Sequence, residues 1–288
     1  MSEQPRGVYP IKVGQLECLI ISDMQLPVEP GADLEQVGRI FSTVPLEDLK
    51  PAVDWQMQRV DTTKLFFNCM LIKSGERHIL VDAGYGPGVR DDLGLLLPRL
   101  AEQGIAAEQI DTLVLTHGHG DHFLGLANDD GDLTFPKARH IMWKSEWEHW
   151  TAKSTLAEMA DDRADRIVKR LLPIQSKLTL VDEETEIAPG VTVMSLPGHT
   201  PGHIGLMLES EGERLLNLLD SVHYILQLQH LDWPPLMDSL PEQASATRKM
   251  ILQRAVDEDL LTLVFHFPFP GLGKFVAEGE GYGWKPLA

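Results

Sequence analysis

The chain has 288 residues, of which 43% are hydrophobic and 24% are charged. A chain of this length and composition can bury a large apolar core, which excludes wholesale disorder and makes disulfide staples unnecessary. With 25 basic and 43 acidic residues, the formal net charge is −18. Because such a surface repels phosphate backbones and anionic lipid headgroups, we expect a small-molecule substrate and neither a nucleic-acid nor a membrane partner.

The first third of the chain predicts two β-hairpins separated by an irregular segment. The first hairpin covers residues 11–23, with Gly14 near the turn, and the second covers residues 64–84. Between them, residues 24–62 are rich in proline and predict an N-terminal extension with one helix at 33–43. We expect this extension to cap an active site or to mediate contacts in a homodimer.

The remaining two thirds alternate between strand and helix patterns. Apolar runs predict strands at 112–116, 138–143, 191–197, 203–209, 214–220 and 260–265, and helical spacing predicts helices at 93–102, 156–171 and 241–256. This alternation predicts an α/β protein whose sheets are covered by helices. Because no composition shift or flexible linker divides the chain, we expect a single domain over residues 1–288.

The cysteines and the apolar runs bear on the cellular compartment. Cys18 and Cys69 lie in apolar runs, which predicts buried free thiols and argues against a disulfide framework or a cysteine-based zinc site. The first ten residues lack the apolar stretch of a signal peptide. The longest apolar runs are far shorter than the roughly 20 residues that span a bilayer. We therefore expect a cytoplasmic location.

The most informative segment is Thr116-His117-Gly118-His119-Gly120-Asp121-His122, directly after a predicted strand. Imidazole and carboxylate groups are the ligands that Zn²⁺ and similar divalent ions bind. With a spacing of two, His117 and His119 can point the same way, whereas Asp121 and His122 can point to a neighbouring site. One loop can therefore supply ligands to two metals, and we expect the glycines to permit its tight path.

The motif resembles the His-x-His-x-Asp-His signature of the metallo-β-lactamase superfamily of binuclear metallohydrolases. Later ligands of that family have counterparts in the same order, which are His199 in LPGHTPGH, Asp220 in LLNLLDS and His266 in LTLVFH. The resemblance runs from about residue 11 to residue 275. It implies an αββα sandwich, in which two mixed sheets pack face to face with helices outside.

The resemblance also implies a set of metal ligands. One site would contain His117, His119 and His199, a second would contain Asp121, His122 and His266, and Asp220 would bridge them. The implied cofactors are two divalent metal ions, zinc first, with manganese, cobalt or iron as alternatives, that share a hydroxide as nucleophile. Asp121 would also position this hydroxide or pass a proton to the leaving group. Asp82 resembles the acidic residue that orients a metal-binding histidine.

Two further elements resemble the branch that contains methyl parathion hydrolase and the lactonases. These are Asp220-Ser221-Val222-His223 and HFPFPGLG at 266–273. The lactonases usually have tyrosine where His223 stands, so the resemblance implies a catalytic role on the substrate oxygen. A purely structural role for His223 stays equally open. His203 is interpreted as structural, and we expect Trp150, Phe267 and Phe269 in the pocket wall.

The implied function is a hydrolase of neutral esters, lactones or phosphotriesters, because all three share the same metal chemistry. A glyoxalase II-type thioesterase is an alternative, although the tail after residue 270 carries only Lys274 and Lys285 as basic residues. A β-lactamase-like hydrolase of other amides and a metal-stabilised binding module are further alternatives.

Overall fold

The computed structural model describes residues 7–287. They form two seven-stranded sheets in which each strand pairs with its neighbours in sequence. The first sheet contains β1 (Val8–Val13), β2 (Leu16–Ser22), β3 (Asn68–Ser74), β4 (Arg77–Val81), β5 (Thr112–Val114), β6 (Arg139–Trp143) and β7 (Leu178–Val181). The second contains β8 (Thr185–Ala188), β9 (Val191–Ser195), β10 (Ile204–Ser210), β11 (Glu213–Leu219), β12 (Leu261–Val264), β13 (Leu272–Glu278) and β14 (Gly281–Pro286).

The helices lie between and after these strands. They are α1 (Leu34–Ile40), α2 (Leu46–Met57), α3 (Leu96–Glu102), α4 (Gly120–Phe123), α5 (Lys144–Thr151), α6 (Lys153–Glu158), α7 (Asp161–Arg166) and α8 (Pro241–Asp257). A π-helical turn at Ile167–Leu171 continues α7. Within residues 7–287, no helix combines the length and the apolar character needed to cross a membrane.

Both sheets are mixed. In the first, β4, β5, β6 and β7 pair in parallel, whereas β1 to β4 pair antiparallel. In the second, only the β11–β12 pair is parallel. Because parallel strands end at the same edge of a sheet, the segments after β4 and β5, and those after β11 and β12, come together in space.

The core lies between the two sheets and continues on the outer face of the second. Successive side chains of a strand point to opposite faces of its sheet. Leu215 of β11 accordingly packs in the cluster shared by both sheets, whereas Leu216 packs in the cluster that contains Ile251 and Leu252 of α8. The second sheet packs against the first sheet on one face and against α8 on the other. This arrangement confirms the expected αββα sandwich.

Most of the expected elements are confirmed, including both hairpins, with φ +54° at the turn residue Gly14. Several elements were not predicted, which are α2, α4, α5, β7, β8, β13 and β14. The helix expected at 156–171 is broken into α6, α7 and the π-helical turn. Part of the segment interpreted for a signal peptide, residues 1–6, lies outside the described residues.

The extension at 24–62 contains two helices where one was expected. Helices α1 and α2 pack on each other and on Tyr224 and Leu226 through a separate apolar cluster that includes Phe41. The extension is therefore anchored to the segment that follows β11, next to Asp220 and His223.

Candidate metal centre

All the predicted ligands lie at the C-terminal ends of strands. The loop 115–122 follows β5, His199 follows β9, Asp220 follows β11 and His266 follows β12. A bulge between Asn217 and Leu219 shifts the register of β11 against β12 just before Asp220, and the Asn217 side chain accepts a hydrogen bond from the Leu219 amide at 3.3 Å. The strand ends thus bring residues separated by up to 149 positions to one edge of the sandwich.

The structure gathers the seven predicted ligands into two donor groups that share Asp220. The first contains His117, His119, His199 and Asp220, and the second contains Asp121, His122, Asp220 and His266. Within each group, one ligand atom per residue lies within 4.8 Å of every other. Asp220 Oδ2 is 3.6 Å from His117 Nε2, 3.4 Å from His199 Nε2, 3.4 Å from His122 Nε2 and 3.0 Å from His266 Nε2.

The spacing and the bonding of these atoms fit metal ions. His119 Nδ1 lies 3.1 Å from His117 Nε2 and 2.8 Å from His199 Nε2. Two nitrogens that bind one tetrahedral Zn²⁺ at about 2.0–2.1 Å would lie about 3.3 Å apart. His122 Nε2 and Asp220 Oδ1 are buried without any hydrogen-bond partner among the described residues. Because unpaired buried polar atoms are costly, this arrangement is the one expected of ligand atoms that face a cation.

In four of these histidines, the ring nitrogen that does not face the donor group contacts an oxygen atom of the protein. His122 Nδ1 lies 2.8 Å from Asp82 Oδ2, and His266 Nδ1 lies 2.8 Å from the Phe66 carbonyl oxygen. His199 Nδ1 lies 2.9 Å from Asp238 Oδ1, and His117 Nδ1 lies 3.2 Å from Thr116 Oγ1. Such contacts fix the tautomer and the orientation of metal-binding imidazoles.

Asp82 holds the motif loop at a second point. Its carboxylate accepts hydrogen bonds from the Thr116 amide at 2.8 Å and from the Thr116 hydroxyl at 2.9 Å. Asp82 has φ +63°, and Leu219, directly before Asp220, has φ +48°. Left-handed backbone at residues other than glycine costs about 1–3 kcal/mol and clusters at functional sites. The two strand ends beside the donor groups therefore carry backbone strain.

The electrostatics of the cluster also favour a cation. Burial lowers the pKa of His117, His119 and His199 well below the ordinary value, which keeps these rings neutral. Burial acts in the same direction on His122, but the Asp220, Asp121 and Asp82 carboxylates outweigh it and raise its pKa well above the ordinary value. The neutral rings suit the first donor group, and the carboxylates that raise the pKa of His122 are the negative charge that a divalent ion in the second group would neutralise.

His223 lies beside the donor groups and is 1% exposed. Its Nε2 is 3.4 Å from Asp220 Oδ2, its ring stacks on that of His266, and neither ring nitrogen has a hydrogen-bond partner among the described residues. His203, by contrast, is fully engaged, because Nδ1 lies 2.9 Å from the Leu196 carbonyl oxygen and Nε2 accepts the Asp220 amide at 3.2 Å. His223 is therefore available to contact a substrate, whereas His203 has a structural role.

The donor groups form the floor of a cavity of about 1140 Å³. His119, Asp121, Asp220, His223 and His266 all face it. The segment 24–65 supplies one wall, on which the apolar side chains Met24, Pro27, Val28, Ile40 and Leu65 lie together with the polar side chains Gln25, Glu29 and Gln36. Basic side chains also border the cavity, namely Lys64, Arg90, Arg163 and Arg166, and Arg90 and Arg166 pair there with Asp92 and Asp162.

The aromatic wall differs from the expected one. It consists of Phe67, Tyr85 and Phe123, and not of Trp150, Phe267 and Phe269. Trp150, on α5, and Phe267, directly after His266, are instead buried in the apolar clusters. Tyr85 packs edge-on against Phe67, with ring centroids 5.0 Å apart, and its amide donates to the buried carboxylate of Asp23 at 2.8 Å.

Sequence reasoning missed three residues around the centre, which are Tyr85, Glu146 and Asp238. Glu146 is completely buried on α5, where it contacts the loops of two ligands. Its position between Trp143 and Trp147, four residues before Trp150, was a signal of burial in the sequence. Asp238 lies in an irregular segment, and nothing in its local pattern distinguishes it from a surface aspartate.

Comparison with known proteins also supports the metallo-β-lactamase fold. A family model of the metallo-β-lactamase superfamily matches residues 62–217. The chain is similar to AidC, a dizinc quorum-quenching lactonase solved with the product N-hexanoyl-L-homoserine, with 27% identity, a TM-score of 0.84 and 98% of both chains covered. It is also similar to the hydrolase AbOPH of the β-lactamase superfamily, with 25% identity, a TM-score of 0.84 and 99% of both chains covered.

Among curated proteins, an N-acyl homoserine lactonase of Bacillus cereus is 25% identical over 175 residues, which are 54% of this chain and 63% of the relative. The chain thus spans less than two thirds of the length of the curated relatives it matches. The family match covers more than half of the chain, and the sandwich of two sheets and the order of the donor residues agree with it. This chain belongs to the metallo-β-lactamase superfamily.

Proposed function

We propose that the protein is a binuclear metal-dependent hydrolase of lactones and related neutral esters. The observation that carries the proposal is the pair of donor groups on the floor of a cavity that is also lined by aliphatic side chains of the segment 24–65. The lactonase names of AidC and of the Bacillus relatives support the same class of substrate.

In this proposal, His117, His119 and His199 would hold one cation, Asp121, His122 and His266 would hold the other, and Asp220 would be shared by both. Zinc is the metal that this set of imidazole and carboxylate donors favours. When bound, two divalent cations supply Lewis acidity toward a carbonyl oxygen and make water nucleophilic near neutral pH. Asp220 offsets the repulsion between the two charges because its carboxylate lies within 3.6 Å of a nitrogen from each site.

His223 is the residue that we assign to the substrate oxygen. Buried histidines usually find a partner within the protein, as His203 does, and His140, which is also buried with both ring nitrogens unpaired, does not line the cavity. His223 instead faces the cavity with both nitrogens unpaired. An N–H of His223 directed at the oxygen that gains charge would stabilise the transition state, which is typically worth about 10²–10³ in rate.

Asp121 is the residue that we assign to proton transfer. Its side chain is 15% exposed, compared with 2% for Asp220, and it lines the cavity. Its Oδ2 lies 3.5 Å from both His122 Nε2 and His266 Nε2. This carboxylate could accept the proton that the attacking water loses and pass it to the alkoxide that leaves when a lactone ring opens.

The shape of the cavity favours a substrate with an apolar acyl part. The wall from the extension offers aliphatic side chains within the same cavity as the ligands, so a hydrocarbon chain can be buried while the ester lies over the donor groups. Lys64 and Arg163, which form no salt bridge among the described residues, can receive the carboxylate that hydrolysis releases. Phosphotriesters are a possible second substrate class, since tetrahedral phosphorus meets the same groups.

The test is a substrate panel run on purified protein at one concentration, together with metal analysis. The panel contains aliphatic lactones, N-acyl homoserine lactones, aryl esters, a phosphotriester, a penicillin and a glutathione thioester. We expect two divalent metals per chain and the highest kcat/KM on a lactone. The highest kcat/KM on the thioester would favour a glyoxalase II-type enzyme, the highest on the penicillin would favour an amide hydrolase, and either would overturn the proposal.

A further inference from the structure

Glu146 contacts the loops that carry ligands from both sheets. It lies on α5 and has no exposed surface. Its Oε1 accepts a hydrogen bond from the Gly118 amide at 3.0 Å, and its Oε2 accepts one from the Gly202 amide at 2.7 Å. Gly118 lies between His117 and His119 after β5 of the first sheet, whereas Gly202 follows His199 after β9 of the second. One carboxylate therefore joins two loops that belong to different sheets.

Trp150 completes the arrangement. Its indole N–H donates to the same Oε1 of Glu146 at 2.5 Å, and its ring packs edge-on against His119 with centroids 5.5 Å apart. Both loops approach α5 as closely as glycine allows. A Cβ at Gly118 would lie 2.4 Å from Trp150 Cδ1, and a Cβ at Gly202 would lie 2.4 Å from the Glu146 backbone nitrogen. The glycines at these positions are thus required by the contact with α5.

We propose that Glu146 is a positioning residue that sets the separation of His119 and His199, and thereby the affinity of the first donor group for its metal. The proposal rests on the metal centre proposed above. His119 Nδ1 and His199 Nε2 lie 2.8 Å apart, although their loops come from different sheets. Within the described residues, Glu146 is the side chain that bonds to the backbone of both loops.

The effect should be specific to one donor group. Glu146 makes no hydrogen bond to Asp121, His122 or His266 among the described residues, and His122 and His266 are held by Asp82 and by the Phe66 carbonyl group. The two loops also retain a backbone hydrogen bond from Ile204 to Thr116 at 3.3 Å. Loss of the Glu146 contacts should therefore loosen the first group without separating the sheets.

Glu146→Gln is the sharpest variant, because it keeps the size of the side chain. Both carboxylate oxygens of Glu146 accept N–H groups, so an amide NH₂ at either place would oppose a donor with a donor. One of the two loops must lose its contact whichever way the amide turns. Glu148→Gln is the matched control, since Glu148 is exposed on the same helix.

The experiment challenges the zinc-loaded protein with increasing concentrations of a chelator and measures the zinc that each chain retains. Wild-type and Glu148→Gln protein should release two ions at similar chelator concentrations. Glu146→Gln should release one ion at about 10–100-fold weaker affinity, the range typical of residues that orient metal ligands, and keep the other. Trp150→Phe, which removes the indole donor and part of the ring but keeps the Glu146 carboxylate, should retain both ions more tightly than Glu146→Gln.

The outcomes distinguish the two proposals. Wild-type protein that binds no metal would overturn the proposed function. If wild-type protein binds two ions, two results would overturn the role of Glu146 alone. Glu146→Gln could release both ions as wild type does, or its affinity for both ions could fall equally. Should Glu146→Gln not fold, amide hydrogen exchange in wild-type loaded protein decides the question. Slow exchange at Gly118 and Gly202 supports the proposal, and fast exchange at both contradicts it.

Discussion

The Nδ1 atom of His199 lies 2.9 Å from Oδ1 of Asp238, and the other oxygen of this carboxylate accepts a 2.9 Å hydrogen bond from Arg248 Nη2. Arg248 is almost completely buried on α8, and its Nε donates to the Ser221 carbonyl oxygen at 2.9 Å. A single buried guanidinium therefore supports His199 through Asp238 and also holds the backbone next to Asp220. The contact links one ligand of the first donor group to the ligand that both groups share.

Asp238→Asn should weaken metal binding at the first donor group by about 10–100-fold, because the charge that orients His199 is lost. The asparagine can still accept the hydrogen bond from Arg248, so the protein should fold with reduced stability. The measurement is zinc retention against a chelator, together with urea unfolding. Asp232→Asn is the control, since Asp232 is exposed and pairs with Lys249. Unchanged zinc retention in Asp238→Asn would show that His199 does not need this support.

Asp220→Ala should cost more activity than His223→Ala, and for a different reason. Removal of Asp220 leaves two cations without a shared carboxylate, so the variant should lose metal as well as turnover. His223→Ala should keep both metals and lose about 10²–10³ in kcat, the effect of one transition-state hydrogen bond.

Zinc content and kcat on the best lactone of the panel distinguish these variants. The control is His230→Ala, because His230 stacks on Trp233 and is not part of the cavity wall. Full turnover by His223→Ala on every substrate would mean that this histidine is structural.

The sequence was sufficient for the donor residues because each of them follows a strand within a short motif. His117, His119, Asp121 and His122 lie within six residues, and the later three ligands end apolar runs. The supporting residues could not be found in this way. Asp238 is 39 positions from His199, and Glu146 is 28 and 56 positions from the amides it binds. Only the packing of the two sheets brings such pairs together.

The missed elements have a similar explanation. β13 and β14 contain three glycines in LGKFVAE and GYGWKP and lie at one edge of the second sheet, so their apolar alternation is weak. Helix α2 contains Pro51, which favoured an irregular segment in the sequence. The basic side chains that border the cavity could not be placed from the sequence, because a net charge of −18 does not tell where Arg163 and Arg166 lie.

Removal of the metals should lower the thermal stability and abolish hydrolysis. Without cations, the buried carboxylates of Asp121 and Asp220, which belong to the donor groups, lack their main compensation. A ligand that binds only the folded state stabilises it by about 4 kcal/mol per site when its free concentration is 1,000 times its Kd. The measurement is Tm and kcat before chelation, after chelation and after addition of zinc. Chelated protein with unchanged Tm and activity would contradict the metal centre.

Val28→Asp should reduce the selectivity for long acyl chains. Val28 is half-buried and belongs to the apolar wall that the extension contributes to the cavity. Each buried CH₂ of a substrate contributes about 0.8 kcal/mol, so loss of two such contacts corresponds to roughly a tenfold loss in kcat/KM. The ratio of kcat/KM for decanoyl and butanoyl homoserine lactones should therefore fall about tenfold, while the value for the butanoyl substrate changes little. Val168→Asp is the control, because Val168 is exposed on the π-helical turn outside this wall. If the ratio stays at the wild-type value, the extension does not contact the acyl chain of the substrate, and the cavity wall at 24–65 contacts some other group.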